Sequence, residues 1–426
     1  MRMFTALALS GFLGSQAFGA TPVFKVDKNK LGLIGENTSL VYNGENSFLA
    51  VDSLKELKGK NLYVTRIPAA NETEYLEQLA KISKIHIHEQ GDYALVEIKG
   101  DERALAELTH HENGMCGALK LLNEFSEINL VAARPGEMLI DSDEVNQRVK
   151  NLQAQVSSNN IYTSVKFMEN IGTRYHKSES GKVFPITLSE KYARLIPESR
   201  KDVSISFHDV PRSVQDNIVI TIEGSEKPEE KVIIGSHIDS IVGWGRGDSA
   251  PGADDNASGT ATNLEIFRVL MENGIKPKRT IEIHGYAAEE VGLVGSQVMA
   301  GDYANQNKNV VAMVQMDMNL YSKRNDLSKM WFVNNGTNEE LTKNLMKMTK
   351  NYLGVEPIAA KLTAGTSDHQ SWHQRGFAAA FPFENPNEYN RKIHTVNDRA
   401  DAVGNAEFSA LYAKLGISYL MHYAGF

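Results

Sequence analysis

Apolar and polar positions alternate with different periods along the chain, and their distribution predicts two folded parts. In residues 21–140, strand-like stretches at 61–65 and 93–98 are accompanied by apolar residues at helical spacing in 72–84 and 102–110. This first part is therefore predicted to be a small α+β domain.

From about residue 145 onward, apolar runs of strand length alternate with helical patterns. Such alternation is typical of an α/β domain with parallel strands joined by helices. A helix is predicted from 258 to 271, with its apolar residues on one face. We expect a mostly parallel mixed sheet flanked by helices in residues 141–426. The predicted strands are 218–222, 232–235, 280–286, 310–315 and 378–383.

The first twenty residues have the pattern of a signal peptide. Arg2 supplies a positive charge, residues 4–13 are apolar, and small residues follow at 17–20. The order of these features predicts cleavage after Gly19 and a secreted or periplasmic protein. No other stretch is long enough to span a bilayer, so no membrane association is expected after removal of residues 1–20.

Composition argues against nucleic acid as a partner and against an internal disulfide. The formal net charge is −8, and no dense run of lysine and arginine occurs, so nucleic acid is not expected as a partner. Cys116 is the only cysteine, so no internal disulfide can form.

Residues capable of binding metal follow predicted strands or tight turns. Ligands in open α/β sheets gather beyond the carboxyl ends of strands. The candidate residues are His237 with Asp239, Asp254 with Asp255 in the turn at 250–255, Glu289 with Glu290, Asp317, and His394.

The types of these residues predict which metal ion would bind and how a water bound to it would be activated. A set of two histidines and three carboxylates favours zinc over calcium or magnesium, which prefer oxygen ligands alone. Of two adjacent carboxylates, one can bind metal while the other serves as general base for a metal-bound water. The spacing alone does not decide whether Asp254 or Asp255 is the ligand.

The ordered motifs resemble those of the secreted bacterial leucyl aminopeptidases, a branch of the co-catalytic zinc exopeptidases. The resemblance covers roughly residues 161–424. It includes the H-x-D motif at 237–239, A-P-G-A-D-D at 250–255, A-A-E-E-V-G-L at 287–293, S-D-H at 367–369 with S-W-H at 371–373, and I-H-T at 393–395.

The resemblance implies a role for each candidate residue. It implies two Zn²⁺ ions per chain and removal of leucine-like N-terminal residues from peptides by an activated water. It also implies a cis peptide bond between Asp255 and Asn256. It implies that Asp255 bridges the two zinc ions. His237 and Asp317 would complete one zinc site, and Glu290 and His394 the other. Glu289 would be the general base, and Asp239 would orient His237.

The substrate pocket is expected to be apolar and to differ somewhat from that of the family. Its candidate residues are Met318, Phe383, Tyr389 and Ile393. The family's disulfide before the S-D-H motif is absent, and Ala364 replaces a tyrosine that contacts the reacting carbonyl in those enzymes.

The resemblance also implies that residues 21–140 are a propeptide that inhibits the site intramolecularly. An accessory domain retained in the mature enzyme is the alternative. For the catalytic part, the alternatives are a related zinc exopeptidase, a glutaminyl cyclase that works with one zinc, or a non-catalytic binding module on the same fold.

Overall fold

The computed structural model describes most of the chain after residue 20. The described residues are 21–35, 37–67, 71–111, 119–131, 133–140, 146–243, 249–362, 365–404 and 406–426. The predicted signal peptide, Cys116 and Ala364 lie outside these ranges.

In its described residues, the first part contains two antiparallel sheets and two α-helices. The strand orders are β1-β3-β2 and β5-β6-β4-β7. The elements are β1 (Val23–Asp27), β2 (Ser39–Asn43), β3 (Ser47–Val51), β4 (Leu62–Arg66), α1 (Glu72–Ile82), β5 (Ser83–Glu89), β6 (Tyr93–Ile98), α2 (Glu102–His111) and β7 (Leu119–Leu121), with short 3₁₀ turns at Lys28–Leu33 and Leu54–Leu57. We call residues 21–131 the N-terminal domain.

The second part is built on one eight-stranded mixed sheet. Its order is β14-β13-β15-β12-β10-β11-β9-β8, and the central strands β11, β10, β12 and β15 are parallel. The strands are β8 (Val203–His208), β9 (Asn217–Ile222), β10 (Lys227–His237), β11 (Arg279–Tyr286), β12 (Asn309–Gln315), β13 (Lys329–Val333), β14 (Glu356–Ala360) and β15 (Ala379–Phe383).

Helices cover both faces of this sheet. The helices are α3 (Gln147–Gln153), α4 (Ser158–Glu169), α5 (Glu179–Ala193), α6 (Gly259–Glu272), α7 (Val294–Asn305), α8 (Glu339–Met348), α9 (His369–Gln374), α10 (Ala400–Val403) and α11 (Glu407–Ala424). Short helical turns lie at Ala253–Ser258, Lys323–Asn325 and Thr349–Leu353.

Neighbouring residues of the central strands enter different cores, as the two-residue period of a strand requires. Ile234 packs in the larger core with Phe267 of α6, whereas Ile233 packs on the opposite face with Tyr303 of α7. Burial on both faces explains the apolar runs 232–234 in β10 and 310–314 in β12, whereas β11 also carries the buried polar residues Glu282 and His284. The predicted mostly parallel mixed sheet flanked by helices is confirmed.

The N-terminal domain shares a hydrophobic core with the second part. Tyr63 of β4 and Leu121 of β7 belong to the same buried cluster as Ala287, Ala288 and Val291, which follow β11. This domain therefore packs directly on the loop that carries the adjacent glutamates. Within the described residues, none of the helices has the length and apolar character needed to cross a membrane.

Candidate metal centre

The parallel strands deliver the candidate residues to one edge of the sheet. His237 is the last residue of β10, and β10 pairs in parallel with both β11 and β12. Glu289 and Glu290 follow β11, and Asp317 lies two residues beyond the end of β12. Because the carboxyl ends of parallel strands meet at one edge, these residues converge although they are far apart in sequence.

The first group of donors consists of His237, Asp255 and Asp317. The Nε2 atom of His237 lies 3.0 Å from Oδ1 of Asp255 and 3.4 Å from Oδ1 of Asp317. All three side chains are buried, and their donor atoms are close enough to share one metal ion.

The second group consists of Asp255, Glu290 and His394. The Nε2 atom of His394 lies 2.9 Å from Oδ2 of Asp255 and 2.9 Å from Oε2 of Glu290. Asp255 thus offers one oxygen to each group, which is the geometry of a carboxylate between two cations.

The turn that carries Asp255 is fixed by buried hydrogen bonds. The carboxylate of Asp398 accepts the backbone N–H groups of Asp254 and Asp255, each at 3.1 Å. The fully buried guanidinium of Arg174 donates to the carbonyls of Pro251 and Gly252 at 2.8 and 2.9 Å. The Asp255–Asn256 peptide bond is cis, as the resemblance implied.

Asp239 holds the glutamate loop and lies beside the imidazole of His237. Its two carboxylate oxygens accept the N–H groups of Glu289 at 3.1 Å and Glu290 at 3.3 Å. One of them also lies 3.4 Å from Nδ1 of His237. A carboxylate behind a ligating histidine fixes the ring and its tautomer, so Nε2 is presented to the metal.

Asp317 is oriented from the S-D-H motif. Ser367 donates its hydroxyl to Oδ2 of Asp317 at 2.6 Å. The amide of Gln315 in turn donates to the Ser367 hydroxyl at 3.1 Å and to Asp368 at 2.7 Å. With Oδ2 occupied by this bond, Oδ1 of Asp317 is the atom directed toward His237.

The donor set fits a pair of zinc ions. Donor atoms about 2.1 Å from a tetrahedral zinc are about 3.4 Å apart, close to the separations of 2.9–3.4 Å between these donors. Within the described residues, Nε2 of His237, both oxygens of Asp255 and Oδ1 of Asp317 are buried and make no hydrogen bond. Buried polar atoms of this kind need a partner, and a divalent cation supplies one.

The electrostatics indicate the same need for positive charge. Burial by itself lowers the pKa of His394, but the carboxylates of Glu290 and Asp255 raise it to about 10. Burial likewise opposes protonation of His237, yet the charges of Asp317 and Glu289 raise its pKa well above the usual value. The buried carboxylates thus stabilise positive charge between them, and metal ions can supply that charge by displacing the protons.

Glu289 lies at the centre without belonging to either donor group. Its side chain is fully buried. Burial raises its pKa well above the ordinary value; His237 opposes this shift, and the carboxylate of Asp368 adds to it. A carboxylate with a raised pKa can accept a proton from water and later donate it to another group, which suits a general base.

A small apolar cavity adjoins the metal centre. All four predicted pocket residues, Met318, Phe383, Tyr389 and Ile393, line it together with Asp317. Met318 has a left-handed backbone, with φ of 50°, directly after the ligand Asp317. The cavity therefore lies directly beside the first group of donors.

Sequence reasoning did not assign the residues that support the ligands from behind. Ser367 and Asp368 stood in a quoted motif but received no role. Arg174 and Asp398 stood in no motif at all. Both stand among polar and charged residues in the sequence, so no apolar context marked them, and the sequence alone did not reveal their partners.

Comparison with known proteins places the chain in a family. The profile described as "Peptidase family M28" matches residues 217–414. Leucine aminopeptidase 1 of Ajellomyces capsulatus is 34% identical over 289 residues, which cover 65% of this chain and 74% of the relative. The chain belongs to peptidase family M28.

Solved structures of other proteins are similar in fold to this M28 peptidase. The LapA aminopeptidase of Legionella pneumophila is 25% identical with a TM-score of 0.72, covering 87% of this chain and 99% of that one. Since this coverage exceeds the share of the second part alone, the likeness includes part of the N-terminal domain. A Bacteroides thetaiotaomicron glutaminyl cyclase, 18% identical with a TM-score of 0.51 over 62% of this chain and 97% of that one, shares the fold alone.

Proposed function

We propose that this M28 peptidase is a metallo-aminopeptidase that uses two zinc ions to remove N-terminal residues, preferably leucine-like ones, from peptides. One observation carries the proposal. Two groups of three buried donors share Asp255, and Glu289 lies beside them. Family membership and the names of the relatives support peptide hydrolysis as the reaction.

His237, Asp255 and Asp317 would hold one zinc, and Asp255, Glu290 and His394 would hold the other. Bound zinc ions supply Lewis acidity that polarises a carbonyl and lowers the pKa of water. The remaining steps depend on side chains of the chain itself.

Glu289 moves the proton. Its carboxylate accepts a proton from the attacking water, whose oxygen bonds to the scissile carbonyl carbon. As the carbon–nitrogen bond breaks, Glu289 returns that proton to the leaving amine, so the sum is one water consumed per peptide bond cleaved. Asp239 keeps the Glu289 backbone in place during this transfer through its bond to the Glu289 N–H.

The apolar cavity selects the first residue of the substrate. Phe383 and Ile393 are almost fully buried there, so an aliphatic side chain that enters exchanges water for apolar contact. Burial of a leucine side chain contributes about 1.5–3 kcal/mol. The cavity's apolar lining and its position beside Asp317 are what favour a leucine-like first residue.

We also propose that residues 1–20 contain an export signal that is cleaved after Gly19 to leave Ala20 as the mature N-terminus, and that the N-terminal domain restricts access to the site. The packing of that domain on the loop at 287–291 supports the second proposal. N-terminal sequencing of exported protein tests the first. Activity on long peptides before and after limited proteolysis tests the second.

The function itself is tested with leucine anilide and its N-acetylated form. The zinc-supplemented chain should hydrolyse the free-amino compound, lose this activity in chelator, and regain it with zinc. Cleavage of the acetylated compound at an equal rate would contradict an aminopeptidase. Undiminished hydrolysis after complete zinc removal would contradict the metal requirement.

A further inference from the structure

A second, larger cavity lies between the N-terminal domain and the metal centre. Its volume is about 390 Å³, within the range of sites that bind small ligands. Asn43 and Arg66, at the ends of β2 and β4, form its N-terminal wall. Thr366, His369 and Gln370 contribute to the opposite wall. We call this cavity the interdomain chamber.

The interdomain chamber is continuous with the reaction site. Leu362, Gly365 and Thr366 line both this chamber and the apolar cavity beside Asp317. Thr366 directly precedes Ser367, whose hydroxyl binds Asp317. A peptide with its first side chain in the apolar cavity therefore extends its remaining residues into the chamber.

Arg66 is the one charged side chain among the described residues that line the chamber, although the whole chain is acidic. The carboxylate of Asp92 does not line the chamber but interacts electrostatically with Arg66. None of the described residues that line it is an aspartate or glutamate, whereas the formal net charge of the chain is −8. Burial lowers the pKa of His369 to about 3 and also lowers that of His373, so both imidazoles are neutral at pH 7. Arg66 carries a permanent charge, since a guanidinium is not deprotonated in proteins.

Arg66 is held in a position to receive an anion. It is the last residue of β4, it remains exposed, and it interacts with the side chain of the buried Tyr42 next to the chamber. The neighbouring strand β7 is fixed to the second part, because Lys120 donates to Gln374 at 2.7 Å. The guanidinium is thus presented on a wall that is fastened to the catalytic part.

We propose that Arg66 binds the C-terminal carboxylate of short peptide substrates and so makes the enzyme selective for di- and tripeptides with a free carboxyl terminus. The proposal rests on the aminopeptidase function proposed above. An extended peptide advances about 3.3 Å per residue, so only a short peptide places its carboxylate within the chamber. A guanidinium fork matches a carboxylate with two parallel hydrogen bonds.

The test compares Leu-Gly-Gly with its C-terminal amide on the intact, zinc-supplemented chain from residue 20 onward. The measured quantity is the ratio of kcat/KM for the free acid to kcat/KM for the amide. We expect a ratio of about ten in the wild type, the effect of a charge-assisted pair, and a ratio near one in Arg66→Gln. Because each ratio is taken within one variant, partial loss of folded enzyme cancels.

Arg103→Gln is the matched control. Arg103 lies in the same domain and pairs with Asp101 at 2.9 Å, outside the chamber lining. This variant should keep the wild-type ratio. A wild-type ratio near one, or a ratio unchanged in Arg66→Gln, would overturn the proposal for Arg66 while leaving the aminopeptidase function intact. Failure of the zinc-bound wild type to cleave either peptide or leucine anilide would instead reject the function on which it rests.

Discussion

Asp239 shows how one side chain can organise several others at the residue scale. Its carboxylate uses both oxygens for the backbone of Glu289 and Glu290, and it lies beside the imidazole of His237. All of these groups are buried, so a change at this position is not screened by water. The orientation of the candidate ligand His237 and the position of Glu289, the proposed base, therefore depend on the same carboxylate.

An Asp239→Asn variant should bind zinc about 10–100-fold more weakly, the usual effect of removing the partner of a ligating histidine. An amide has only one acceptor oxygen, and its NH₂ group would face a backbone donor. Competition titration with a zinc chelator measures the change. Asp401→Asn is the control, because Asp401 is exposed and pairs with Lys166 rather than with a candidate ligand. Wild-type zinc affinity in Asp239→Asn would contradict this account.

Residue chemistry pointed to the candidate ligands but not to the residues that support them. His237 and Asp317 follow apolar strands, so their polarity is conspicuous, and their spacing matches a known series. Asp398 and Arg174 act through backbone groups that are distant in sequence. Any backbone N–H or carbonyl can serve as such a partner, so the sequence contains no pattern that identifies it.

At the scale of elements, the loop from β11 to α7 depends on the N-terminal domain. Gly292 has φ of 118°, and a Cβ atom there would lie 2.5 Å from the backbone nitrogen of Leu121 in β7. The Leu121 N–H donates to the Gly292 carbonyl at 3.3 Å. Glycine therefore allows β7 to approach the loop that carries Glu289.

A Gly292→Ala variant should lower both thermal stability and kcat, because the Cβ atom pushes β7 and the glutamate loop apart. Gly91→Ala is the matched control: Gly91 also has positive φ, 70°, but no atom lies within 4 Å of its Cβ position. That control should lose only about 1–2 kcal/mol of stability, the usual cost of a left-handed backbone for an L-residue, and keep its kcat. Equal effects of both variants on Tm and kcat would show that the close approach does not matter.

Burial accounts for most of the strands that could be predicted from the sequence. Strands β10 and β12 contain apolar runs at 232–234 and 310–314 because both faces of the sheet are covered, and these runs predicted them. The edge strands β8 and β14 contain no fully buried residue, and neither was predicted. Their pairing depends on tertiary neighbours more than on local sequence. Strand β13 lies inside the sheet and is largely buried, so burial alone did not make it predictable.

At the scale of the whole molecule, two domains and the metal centre form one connected structure. Glu102 of the N-terminal domain is buried and accepts hydrogen bonds from Tyr175, at 3.1 Å, and Lys177 of the second part. The hydrophobic core shared at 287–291 is part of the same interface. Motifs predicted the chemistry of the second part, but they contained no information about how closely the first domain approaches it.

The central claim is that five ligands hold two zinc ions while Glu289 remains available as the base. The direct measurement is zinc content per chain by elemental analysis, together with kcat on leucine anilide, for the wild type and for Glu289→Gln. The account predicts two zinc ions per chain in both proteins and a kcat about 10²–10⁴-fold lower in the variant. One zinc per chain in the wild type, or full activity in Glu289→Gln with both metals bound, would contradict it.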